Sequence, residues 1–91
     1  MNRHTVLSDA VWALDVLGHG DDPGYAGAVS ALSAIEALQE DPPASMNPSE
    51  LALLNTAHEL LTSAVEGECP FNSVDSIRAL GLARKLRDLQ E

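Results

Sequence analysis

The sequence predicts an all-α protein, a small antiparallel four-helix bundle. Three observations carry this reading. Apolar residues recur at spacings of three and four, and no useful length alternates with period two. β-branched residues are sparse. Three clusters of turn chemistry divide the chain: His19-Gly20-Asp21-Asp22-Pro23-Gly24, Asp41-Pro42-Pro43-Ala44-Ser45, and Gly67-Glu68-Cys69-Pro70. Glycine supplies positive φ at such breaks, and proline stops a helix from continuing. Ninety-one residues suffice for one domain, residues 1–91.

The first helix is expected over 5–17, with Gly18 as its C-terminal stop. Leu7, Ala10, Val11, Leu14 and Leu17 share one side of it at about 100° per residue. The second is expected over 23–40, with Asp22 as cap and Pro23 in the first helical position. Ala28, Ala31, Leu32, Ile35 and Leu38 form its apolar stripe. Gly27, Ala28, Ala31 and Ala34 are small enough to let a neighbouring helix approach closely.

The third helix, expected over 48–66, has the clearest start. Asn47 is a cap, Pro48 follows, and Glu50 stands three residues after the cap, where its carboxylate can return to the Asn47 amide. Met46 and Leu51 occupy the staple positions across that start. Leu53, Leu54, Ala57, Leu60, Leu61 and Ala64 make a wide apolar face, and Gly67 ends the helix. The fourth is expected over 73–89. Asp75 lies in its first turn and Arg84, Lys85 and Arg87 in its last turns, an order that suits the helix dipole. Four such helices with short connections imply an antiparallel bundle around Leu, Ala, Ile and Val, dry and with little room for a ligand.

Charge narrows the function. Residues 1–72 hold eleven acids and one base, Arg3, a net of −10; residues 73–91 carry a net of +1. Such a body repels a phosphate backbone, which argues against direct nucleic-acid binding and suits a basic protein partner. Solubility alone is the other use of this charge. No run reaches the roughly 18 apolar residues of a membrane span, the N-terminus lacks the pattern of a signal peptide, and one cysteine precludes an intrachain disulfide. A cytoplasmic protein that does not engage membranes is the expectation.

Catalytic patterns are incomplete. His58-Glu59 is half of a zinc-protease motif, but Thr62 stands where the second histidine is needed. His19, Asp21 and Asp22 share a loop without the ligand set of a zinc or calcium site. Cys69 has no base beside it in sequence and reads as a turn thiol. No enzyme, cofactor or metal is therefore expected.

Asp75-Ser76-Ile77-Arg78-Ala79-Leu80 through Leu86, with Phe71 upstream, resembles the modification helix of acyl and peptidyl carrier proteins. The resemblance implies phosphopantetheine on Ser76. Asn72-Ser73-Val74 replaces the glycine that usually precedes this motif. A looser likeness, in the turn from Glu40-Asp41-Pro42-Pro43 to Asn47-Pro48, is to the helical hairpins of bacterial secretion needles. It implies a structural subunit of a helical assembly.

The leading expectation is a non-catalytic interaction module. It would be a small acidic inhibitor or adaptor acting on a basic protein, nucleic-acid-binding proteins among the candidates, in the manner of phage- or plasmid-encoded antagonists. Its expected contact residues are Trp12, Asp15, His19 and Asp9. Trp12 falls opposite the apolar side of the first helix, beside Ser8, Asp15 and His19. Either the chain covers this ring by other means, or a heterologous partner or a homodimer does.

Overall fold

The computed structural model describes residues 3–42, 44, 46–67 and 72–90. Four helices occupy them: α1 (Arg3–Gly18), α2 (Tyr25–Glu40), α3 (Pro48–Val65) and α4 (Ser73–Gln90). Residue pairs fix their directions. Gln39 meets Asn55 and Glu36 meets His58 across α2 and α3, while Gly18 meets Leu80 and Asp15 meets Arg87 across α1 and α4. As numbers rise on one helix they fall on its neighbour, so both pairs are antiparallel. The helices form a ring in the order α1, α2, α3, α4, with α1 also reaching α3 across the short diagonal. The edge between α3 and α4 is the most loosely packed of the four.

The core is apolar throughout the described residues. It holds Leu7, Leu14, Leu17, Ile35, Leu54, Leu61 and Leu86 as its largest fully buried side chains, with alanines between them and no polar side chain buried. The stripes expected on α1, α2 and α3 are the faces that turn inward, except that Leu32 and Leu53 stay half-buried. Ala13 is buried too, because α1 is enclosed by three neighbours rather than one.

The bounds agree with expectation to within two residues, but at two helix ends the residue expected to stop or cap the helix has another role. Gly18 does not stop α1; it is the last helical residue, and the turn follows at Gly20, whose φ is +80°. There the Gly20 N–H donates to the Leu17 carbonyl and the Asp21 N–H to the Val16 carbonyl, the paired closure of a Schellman turn. Gly18 is small for a different reason: a Cβ there would lie 2.8 Å from Leu80 Cβ and 2.9 Å from Leu80 Cα, where α1 crosses α4. Nor does Asp22 cap a helix beginning at Pro23. Its Oδ1 accepts the Gly24 N–H at 2.8 Å, a local turn that competes with helix initiation. Gly24, at φ +84°, becomes the cap residue, and Tyr25 opens α2.

The start of α3 is as expected. The Glu50 N–H donates to Asn47 Oδ1 at 2.9 Å, the Asn47 N–H reaches Glu50 Oε1 at 3.4 Å, and Met46 is buried with Leu51 half-buried beside the core. Gly67, at φ +88°, follows the end of α3, and the Asp75 N–H donates to Asn72 Oδ1 at the start of α4. Cys69 and Phe71 lie outside the described residues.

Candidate functional site

Trp12 projects from the middle of α1, away from the core. Its neighbours three and four residues back, Asp9 and Ser8, are exposed, and Asp15 is partly exposed one turn on. The ring is 53% exposed. Its covered side rests on the first turn of α2: a Cβ at Gly27 would stand 3.0 Å from Trp12 Cζ3 and 3.3 Å from Cη2. Absence of a side chain at Gly27 is what lets the indole lie against the α2 backbone. Tyr25, 71% exposed, opens the same helix. The α1–α2 edge thus displays two aromatic side chains, with Pro23 within van der Waals reach of Gly27.

Acidic groups border these rings. Asp9, Asp21 and Asp22 are exposed. His19 Nδ1 lies 2.7 Å from the Asp15 carbonyl oxygen and 3.8 Å from its Oδ1, which holds the imidazole against the end of α1. Asp15 Oδ1 also lies 4.0 Å from Arg87 on α4. These are exposed contacts, each worth roughly 0–1 kcal/mol, so they orient side chains without locking them. Of the four residues singled out in the sequence, Asp15 and His19 touch each other, while Trp12 leans toward α2 and Asp9 is exposed on the α1 surface.

The incomplete motifs are dispersed by the fold. His58 faces Glu36 on α2 at 3.3 Å, while Glu59 faces Arg78 on α4 at 3.9 Å, so this pair diverges to two neighbours. The Thr62 hydroxyl donates to the His58 carbonyl at 2.7 Å. Among the described residues, no group of three or more His, Cys, Asp or Glu side chains converges on a point where a metal ion would sit. Ser76 is half-buried in the first turn of α4, where its N–H donates to the Asn72 carbonyl. No described helix is long and apolar enough to cross a membrane.

A second surface feature is absent from the reading of the sequence. Between α3 and α4 runs an open groove of about 280 Å³. Leu53, Thr56 and Leu82 line it, Ile77 stands at its edge 72% exposed, and Gly81 leaves the α4 backbone bare toward open space. Its charged lining residues are Arg78 and Lys85, with no carboxylate.

No family model matches the chain, and no curated protein or solved structure matches it.

Proposed function

We propose that this chain is a non-catalytic interaction module, a small acidic inhibitor or adaptor that engages a basic protein through the α1 face bearing Trp12, Asp9, Asp15 and His19. One observation carries the reading: the only tryptophan of the chain is 53% exposed on a helix whose three leucines, Leu7, Leu14 and Leu17, are fully buried. Covering that ring would remove apolar surface from water at roughly 25 cal/mol per Å², and tryptophan is enriched among the residues that dominate interfaces. The carboxylates around it favour a cationic partner surface and raise the rate of encounter with one.

The test is capture from a lysate on immobilised wild-type chain and on the Trp12→Ala variant, each at low and at high salt. A basic protein retained by wild type and lost from Trp12→Ala, and weakened by salt, is the expected result. Equal retention by both chains would contradict the assignment of the face.

A further inference from the structure

The α1–α2 edge and the α3–α4 edge are opposite sides of the ring of helices. The first carries an exposed tryptophan with the exposed Asp9 one turn before it; Asp15, one turn after it, lies toward Arg87 of α4. The second is an apolar groove between cations. On a chain with fourteen acids and five bases, lining a groove with two bases and no acid goes against the overall composition. Lys85 has no ion pair among the described residues, whereas Arg78 is shared between Asp75 and Glu59.

The spacings match. Arg78 and Lys85 stand seven residues apart on α4, about 10.5 Å along the axis, with Gly81 between them; Asp9 and Asp15 stand six apart on α1, about 9 Å, with Trp12 midway. Gly81 leaves a notch where a flat ring can lie on helix backbone, as Gly27 already does for the other side of this same indole.

We propose that the Trp12 face of one copy docks into the α3–α4 groove of a second copy. The ring sits over Gly81 between Leu53, Ile77 and Leu82, with Asp9 and Asp15 beside the groove cations, Asp15 giving up its exposed 4.0 Å contact with Arg87 of its own α4. This rests on the reading of the Trp12 face as a docking surface for cationic groups, and it names the groove of a second, overall acidic copy as one place that supplies them. Because the two surfaces lie on opposite sides, the contact is head-to-tail: each copy keeps a free ring and a free groove, so association continues past the dimer or closes into a larger ring. Each copy carries a net charge of −9, so long-range repulsion opposes the contact at low salt. At physiological ionic strength screening acts beyond about 8 Å and leaves the close charge pairs in place.

Sedimentation equilibrium at physiological salt, up to about 1 mM chain, would populate a contact as weak as millimolar. Wild type should gain mass beyond the dimer as concentration rises. Lys85→Glu, which spoils the groove, and Trp12→Ala, which removes the ring, should each stay monomeric. Their equimolar mixture should form a dimer that grows no further, because one intact ring meets one intact groove. In that mixture the sole tryptophan belongs to the Lys85→Glu copy, and its emission should shift to the blue. Asp9→Lys replaces Trp12→Ala if loss of the ring unfolds α1. A dimer that survives Lys85→Glu, or a mixture that stays monomeric, would overturn the proposal. So would a monomeric wild type at every concentration, the outcome expected if the groove instead serves an acidic segment of another protein. Quenching of that monomer separates the two claims. A readily quenched Trp12 removes only the self-contact, whereas a shielded one removes the reading of the Trp12 face as well.

Discussion

Gly18 on α1 and Leu80 on α4 meet backbone to backbone: a Cβ added to Gly18 would sit 2.8 Å from Leu80 Cβ and 3.0 Å from Leu80 N. Neighbouring atoms of the main chain cannot yield as the end of a flexible side chain can. Gly18→Ala gains up to about 1 kcal/mol in helix propensity, but forcing the helices apart costs about 1–3 kcal/mol. The expected outcome is net destabilisation, seen as a lower urea midpoint. A raised midpoint would mean that α1 and α4 do not cross there.

Gly81 makes the opposite case. It lies inside α4, and a Cβ there would meet nothing within 4 Å. Gly81→Ala should therefore stabilise the dilute protein by about 0.5–1 kcal/mol through propensity alone. Loss of stability would show that the groove is filled in solution by the chain itself.

At the start of α3, Asn47 and Glu50 satisfy each other's backbone amides. Asn47→Ala removes the acceptor for the Glu50 N–H and should cost about 0.5–2 kcal/mol. An unchanged melting midpoint would count against the capping geometry.

Gly27 is the seat of the Trp12 ring. In Gly27→Ala the new methyl group, 3.0 Å from Cζ3, should push the half-exposed indole outward. A red shift of emission and easier quenching are expected, with a stability change within about 1 kcal/mol, since an exposed ring gives way more cheaply than a packed one. Unchanged fluorescence would place the ring elsewhere.

How much of this was legible in the sequence depends on how local each signal is. The α3 start was readable because Asn47, Pro48 and Glu50 are adjacent and their hydrogen bonds span three residues. The apolar stripes and the outward phase of Trp12 followed from helical periodicity in the same way. Gly18 was misread as a stop because a glycine at a helix end has two uses, and only the α4 partner distinguishes close packing from termination. Asp22 was misread because an aspartate before Pro23 serves a local turn as well as a cap. The groove was not legible, since it arises where α3 and α4 separate and brings Leu53 beside Gly81 and Lys85. Periodicity within one helix carries no information about such a gap.

The central claim is that Trp12 stands on the surface of the free chain, ready for a partner. Tryptophan fluorescence of the dilute monomer, titrated with a neutral quencher, tests it most directly. Red-shifted emission and ready quenching are expected, with both reversed when a partner binds. Blue-shifted emission that resists quenching in the monomer would place the ring in the core and remove the Trp12 face as a docking surface.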